Sequence, residues 1–361
     1  FFTIDMRRLY VLLGKRVIYG IISLIGLTVI TFILSHAGGP TMAISTYLNP
    51  QSPIPISVQE KTLEAEFHLN QPLYIQYFYY MVGLFHGNWG YTKTPIFSGP
   101  VTTAIAYFLP NTIELSVVAI MVIIFVGIPL GVFSAARRDG PADNVIRVIS
   151  FIGVALPAFW LGLILQETFA SNLLSPYLNL LPLTGNVSNN LVLHLSWYRD
   201  GISYPTHFLF IDALIHGDIN VAISNLIHLI LPALTVSFTS LAVVIRMTRS
   251  STIDSLNQEY IKTIRTKGIP EKYVIKYHAK KNAMIPVATV IGIMFATFLS
   301  GVVLVEYVFS YPGIGGWIVQ SFLADNIAGI MGANLTFGIV LVTANIVVDI
   351  VYTYLDPRIR Y

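Results

Sequence analysis

The chain has 361 residues, of which 55% are hydrophobic and only 11% are Asp, Glu, Lys or Arg; its net charge is +3 and its mean hydropathy +0.69. A soluble domain carries about 25% charged residues, so this chain has too little charge to clothe a water-facing surface. Lipid is the solvent it suits, and there the backbone must satisfy its own hydrogen bonds, which makes helices the spanning element. The absence of cysteine excludes disulfides, iron–sulfur clusters and thiolate zinc sites.

A helix needs roughly 20 apolar residues to cross hydrocarbon. Six runs qualify, over residues 17–35, 113–136, 148–169, 226–245, 285–307 and 335–354. The first is too long for a secretory leader, and Ser35-His36-Ala37-Gly38-Gly39 is a poor cleavage site, so it reads as a retained span. Between spans one and two, residues 36–108 hold an amphipathic stretch, Val58 to Phe67, and an aromatic-rich one, Tyr74 to Phe85. Between spans three and four, residues 172–225 hold Pro176, Pro182, Pro205 and the turn signal Gly185-Asn186. Both segments read as caps on one membrane face; the alternative is that they help receive a soluble partner.

The loops sort by charge. Arg7, Arg8, Lys15 and Arg16 precede span one, and Arg137, Arg138 and Arg147 separate spans two and three. Arg246, Arg249, Lys262, Arg265, Lys267, Lys272, Lys276, Lys280 and Lys281 lie between spans four and five, and Arg358 and Arg360 follow span six. Only Lys61, Lys93 and Arg199 fall on the other side. The positive-inside rule makes the basic side cytoplasmic, and an even number of spans then puts both termini there. The expectation is an all-α, multi-pass protein of the cell membrane. Residues 1–108 would supply the first helix and an outer segment. Residues 109–361 would form a five-helix core with an outer insertion, 172–225, and a cytoplasmic loop, 249–283.

Several chemistries leave no trace. The chain has no Gly-x4-Gly-Lys-Ser/Thr phosphate loop, no His-Glu-x-x-His and no Gly-x-Ser-x-Gly. Its eight histidines lack metal-ligand spacing, and Gly313-Ile314-Gly315-Gly316, which follows Tyr311-Pro312 beside a span, reads as a tight turn. An intramembrane enzyme would need a catalytic pair at matched depth, and none is visible. A gradient-driven transporter would usually show internal repeats, and none is clear.

The loop after span four is the most informative stretch. Ile253, Leu256, Tyr260 and Ile264 fall at helical spacing and predict one apolar stripe. Gly268 supplies a left-handed stop. Pro270 can open a second helix, with Glu271 in its favourable first turn. On that helix Lys272, Lys276 and Lys280 share one face, and Tyr273 and Tyr277 another. The prediction is an amphipathic elbow on the basic side of the membrane, shaped for docking onto a soluble motor.

Here the chain resembles a known family. Glu259-Tyr-Ile-Lys-Thr-Ile-Arg-Thr-Lys-Gly268-Ile is similar to the ATPase-coupling loop of ABC-importer permeases, in the form used by dipeptide and oligopeptide permeases. Gly268 matches the loop glycine. Lys262, Thr263 and Ile264 replace the general Glu-Ala-Ala, and His278 and Lys281 replace a later Ile and Pro, as in the peptide subclass. Leu231-Pro232-Ala233-Leu234, Arg249-Ser250-Ser251, Glu306-Tyr-Val-Phe-Ser-Tyr-Pro312-Gly313-Ile-Gly, Asp349 and Asp356-Pro357-Arg358-Ile359-Arg360-Tyr361 also resemble the family. Asn70-Gln71-Pro72-Leu73, His86-Gly87-Asn88-Trp89-Gly90 and Pro110-Asn111-Thr112-Ile113-Glu114 resemble the first of the two permeases in such systems. The outer segment 172–225 is longer than the family pattern.

The resemblance implies a six-helix, type I ABC importer permease fold. It implies a non-enzymatic subunit forming half of a pathway for peptides or, as in related archaeal importers, oligosaccharides. The implied partners are a second homologous permease, two ABC ATPase subunits that hold ATP and Mg, an extracellular solute-binding protein and membrane lipid, with no nucleic acid. The chain itself would bind no cofactor or metal and carry no catalytic residue. Tyr260, Ile264, Arg265, Lys267, Gly268, Pro270, Glu271 and Tyr273 would form the coupling loop.

Glu114, Glu167, Glu306 and Asp349 lie in or at the ends of spans, where acids are functional candidates by default. Asp349 reads as an ion-pair partner for a basic residue of the coupling loop. Glu306, before Pro312 and Gly313, stands open between an ion pair and an outer gate, with proton coupling a third reading.

Overall fold

The computed structural model describes residues 6–36, 44–49, 51–66, 68, 70–170, 181–199, 201–299 and 302–355, with 6–13, 170 and 351–355 described by backbone alone. The sequence signals at Gly38-Gly39, Pro176 and Asp356 to Tyr361 lie outside the described residues.

The fold is helical, and among the described residues five helices are long and apolar enough to cross a membrane, or six if one bent pair is counted as a span. Helix α1, Met6–His36, opens the chain. Then follow α2, Ile56–Glu66, and α3, Leu73–Phe85. An antiparallel hairpin of β1, Tyr91–Thr94, and β2, Phe97–Pro100, comes next and was not expected from the sequence.

The second span starts earlier than hydropathy suggested. Helix α4, Val101–Val122, carries Pro110 in its interior and passes through a π-helical turn, Ile123–Gly127, into α5, Ile128–Ala136. Pro129 lacks the N–H that would continue the regular ladder, and a widened turn just before it accommodates that gap. The third run is not one straight helix. Helices α6, Pro141–Ala155, and α7, Ala158–Ala170, meet at 104°. Pro157 forces the change, because the residue before a proline avoids helical backbone, and Leu156 sits at φ −84°, ψ 126°.

The described part of the segment between α7 and residue 219 has its own core. Helix α8, Asn189–Val192, the strands β3, Tyr198–Arg199, and β4, Ile202–Ser203, and helix α9, Leu209–Ile215, surround buried Val187, Val192, Trp197, Leu209 and Ala213. Trp197 donates to Asp218 at 2.6 Å and stacks on His216 at 4.8 Å. Burial pushes the Tyr198 phenol up to about 12. The hairpin turn at Gly201 has φ +84° and lies hard against the ring of Tyr107 on α4.

Helix α10, Ile219–Leu256, is the central mast. At 1.5 Å per residue its 38 residues run about 57 Å, well beyond the hydrocarbon. Leu229, Val236 and Val244 on it join Leu115, Ile123, Val287 and Phe309 in the main core. The elbow follows as α11, Glu259–Thr266, α12, Glu271–Tyr273, and a π-helical turn, Val274–Ala279, which leads into α13, Lys280–Leu299.

The fifth apolar run, 285–307, is likewise not one helix. Helix α13 ends at Leu299, and α14, Val303–Val308, and α15, Ile314–Leu323, form a separate outer segment before α16, Ile327–Leu355. Hydropathy cannot detect this break, because both sides of it are apolar. Helix α1 lies along α16. Gly20 abuts Val342, and Gly338 abuts Leu27, so that neither glycine has room for a side chain.

Candidate functional site

The elbow is a small packed unit. Ile261 of α11 is fully buried against Val274 and Ala279, with Leu256, Ile264 and Ile269 around them. Its turn is made by Gly268, at φ +74°, whose N–H donates to the Arg265 carbonyl at 2.9 Å. Pro270 then opens α12 at φ −58°. Across this turn the guanidinium of Arg265 grips both carboxylate oxygens of Glu271, at 2.6 and 3.0 Å. Glu271 holds the Arg265 guanidinium above its already high range. Both side chains are well exposed, so the fork sets the angle of the elbow and adds at most about 1 kcal/mol.

The outer surface of the elbow presents Tyr260, Arg265, Lys267, Gly268, Pro270, Glu271 and Tyr273, whereas Ile264 packs inward. The predicted stripe is shifted: α10 stops at Leu256, and the break at Asn257-Gln258 puts Ile261 rather than Tyr260 in the buried position. Tyr260 accepts a hydrogen bond from Asn282 at 2.7 Å. The second helix is one α-turn followed by a π-turn, yet Tyr273 and Tyr277 still stack at 5.9 Å, with the Lys276 ammonium 5.0 Å from the Tyr277 ring.

A second polar cluster lies toward the end of α10 opposite the elbow. Glu306 in α14 is fully buried. Its Oε1 accepts from Thr112 at 2.8 Å, and its Oε2 from the N–H groups of Gly315 and Gly316 at 2.7 and 3.1 Å. Thr112 in turn accepts the Ile314 N–H at 2.9 Å. The carboxylate thus satisfies the free donors at the start of α15 and ties them to α4. Pro312 and Gly313 shape the approach to that helix, and a side chain on Gly313 would collide with Glu306.

Glu114, two residues after Thr112 on α4, accepts the Phe210 N–H of α9 at 3.1 Å and Asn225 of α10 at 3.5 Å. Asn225 also donates to the Asn186 carbonyl, and Asn186 to Asn111. Among the described residues neither Glu114 nor Glu306 forms an ion pair with a basic side chain. The two acids join α9, α10 and the segment α14–α15 to α4. Glu167 is exposed on α7.

Asp349 pairs with Arg16 of α1, at 2.8 Å, and not with the elbow. Helix α1 lies alongside α16, which brings Arg16 to Asp349. The contact places the start of the first span and the end of the sixth on the same side of the membrane. The sequence reading missed Asp143, an acid in the basic loop between spans two and three. It is fully buried against Arg249, Arg147 and Ser134. Its one visible signal was an acid among Arg137, Arg138 and Arg147. No group of three or more His, Asp or Glu is placed to hold a metal ion among the described residues.

Comparison with known proteins agrees with this architecture. Residues 127–361 match the family model described as binding-protein-dependent transport system inner membrane component. The chain is 36% identical to the probable D,D-dipeptide transport system permease protein DdpB of Escherichia coli, over 92% of this chain and 93% of that protein. It is 34% identical to the dipeptide transport system permease protein DppB of the same species, over 93% and 95%. It is 33% identical to the oligopeptide transport system permease protein AppB of Bacillus subtilis, over 96% and 98%. The chain belongs to the family of binding-protein-dependent inner membrane permease components, alongside the dipeptide and oligopeptide ABC permeases.

Proposed function

We propose that this chain is one of two permeases in an ATP-driven peptide importer, with its elbow docked in a cytoplasmic ATPase pair and its outer face receiving a solute-loaded binding protein. The observation that carries this reading is the preformed elbow. A left-handed glycine, a bidentate Arg265–Glu271 fork and the buried Ile261 hold an exposed aromatic and basic surface at a fixed angle. Peptide is favoured over oligosaccharide as cargo because the relatives named above are named for dipeptides and oligopeptides. Charge sorting and the Arg16–Asp349 contact support both termini being cytoplasmic.

An apolar groove between α4–α5, α13 and α16, lined by Ile120, Ile124, Met284, Val287, Ile291 and Val347, supports a seat for the second permease. ATP binding would close the ATPase pair and move the elbow, opening the paired permeases outward. Turning a gate from 1:99 to 99:1 takes roughly 5.5 kcal/mol of differential binding, so the elbow must be stiff, and its packing makes it so.

A cysteine at Thr263, exposed on α11, tests the docking. In the assembled complex it should crosslink to the ATPase subunit, while a cysteine at the inward-facing Ile264 should react less. The absence of native cysteines keeps the background clean. No crosslink from any exposed position between 260 and 272 would rule the docking out. Ligand identification on the cognate binding protein decides peptide against oligosaccharide.

A further inference from the structure

We propose that the ion pair of Asp143 and Arg249 is a positioning clasp that makes the corner between spans two and three move as one body with the coupling elbow. The inference rests on the docking role given to the elbow above, and goes beyond it by adding a second moving part on the cytoplasmic side.

Among the described residues, Asp143 alone of the ion-paired acids is fully buried. Asp143 is 0% exposed, while Arg16 and Asp349 are 59% and 27% exposed and Arg265 and Glu271 43% and 52%. Arg249 grips both Asp143 oxygens, Nε on Oδ1 at 2.7 Å and Nη2 on Oδ2 at 2.8 Å. Three more donors reach the same carboxylate. They are the Ser134 hydroxyl at the end of α5, the Asp139 N–H in the turn at 2.9 Å, and Arg147 of α6 at 3.0 Å. One carboxylate therefore ties the end of α5, the connecting turn and the start of α6 to α10.

Just above the clasp, Gly131 of α5 has no room for a side chain, because a Cβ there would lie 2.5 Å from Thr248 Cβ and 2.9 Å from the Ile245 carbonyl. The two backbones thus meet at van der Waals distance next to a planar, two-bond ionic contact. Such a fork resists rotation as well as separation, which a single-point contact does not. Arg249 stands two helical turns before α10 ends at Leu256, where the elbow begins. A push on the elbow reaches α10 first, and through Arg249 and Asp143 it reaches α5 and α6. Helix α5 continues α4, whose middle carries Thr112 and Glu114. The clasp therefore lies on the covalent and packed route from the elbow to the outer cluster.

The test uses the assembled complex of both permeases and ATPases, with spin labels on cysteines at Arg138 in the corner, Gln258 at the start of the elbow and Lys15 at the foot of α1. Between nucleotide-free and ATP-locked states, the 258–138 distance should stay constant while the 258–15 distance changes. Arg249→Gln combined with Asp143→Asn removes both charges together and should broaden the 258–138 distribution. Solute carried per ATP hydrolysed should then fall about tenfold, within the usual range of coupling energies, and Arg249→Lys should recover part of it. The clasp is refuted if the wild-type 258–138 distance changes with nucleotide. It is equally refuted if the double variant assembles and carries solute per ATP as the wild type does. Should the double variant fail to assemble, the wild-type distances alone decide. A wild-type elbow whose distances to Lys15 ignore nucleotide overturns the docking reading itself, and the clasp with it.

Discussion

The Thr112 hydroxyl lies 2.8 Å from Glu306 Oε1, although the two residues are 194 positions apart in the chain. The same hydroxyl oxygen accepts the Ile314 N–H, so one side chain links α4, α14 and the first turn of α15. Thr112→Val keeps the shape and removes both bonds, leaving a buried carboxylate and a buried N–H short of a partner. The expected loss is about 1–3 kcal/mol, read as a lower melting temperature of the detergent-solubilised complex, with Thr112→Ser close to wild type. Equal melting of the Val and Ser variants would show that the hydroxyl is dispensable.

Gly315 tests the same cluster sterically. A Cβ there would stand 2.5 Å from Val303 Cα and 2.8 Å from Glu306 Oε2. Gly315→Ala should therefore destabilise by about 1–3 kcal/mol, the usual range for overpacking. Thermal unfolding of the purified complex is the measurement, and an unshifted midpoint would mean that the segment slides freely.

Gly268 poses a conformational problem rather than a steric one. Its φ is +74°, and nothing lies within 4 Å of where a Cβ would be. A β-branched residue at that φ costs roughly 1–3 kcal/mol, while asparagine is tolerated there. Gly268→Val should lose uptake while ATP hydrolysis continues, and Gly268→Asn should keep both. A folded Gly268→Val complex with normal uptake would contradict a rigid elbow.

Arg16 and Asp349 should matter little to stability. The pair is part-exposed, and such pairs contribute about 0–1 kcal/mol and are screened by salt. Asp349→Asn should shift the melting temperature only slightly at low salt and not at all in high salt. A large, salt-independent shift would assign the pair a heavier structural role.

Trp197 anchors the outer insertion. Trp197→Phe deletes the hydrogen bond to the Asp218 carboxylate, worth about 1.5–3 kcal/mol for a charged acceptor. Amide exchange should accelerate across residues 187–215 and stay unchanged in α4 and in α10 beyond its first turn, because local openings follow cooperative units. Uniform acceleration throughout the protein would show that the insertion is not a separate unit.

The residues explain why some of this architecture was legible and some was not. Spans one, four and six were visible because an apolar run near membrane length has one solution in lipid, and the elbow because Gly268 and Pro270 act on their own backbone. The register within the elbow was less so: a two-residue break moved burial from Tyr260 to Ile261, and helical spacing cannot foresee such a break.

Sequence alone determined the solvent, the helical class and the charge asymmetry, since these depend on composition summed over segments. It also placed the turn at Gly268, since local backbone energy favours that φ in glycine. Only the tertiary structure decided which acid meets which donor. Asp349 found Arg16 rather than the elbow, Glu306 found Thr112 and the glycine N–H groups, and Asp143 found Arg249. These choices depend on which helices pack side by side. A buried charge takes whatever donor that packing brings within about 3 Å, and no local pattern carries that information.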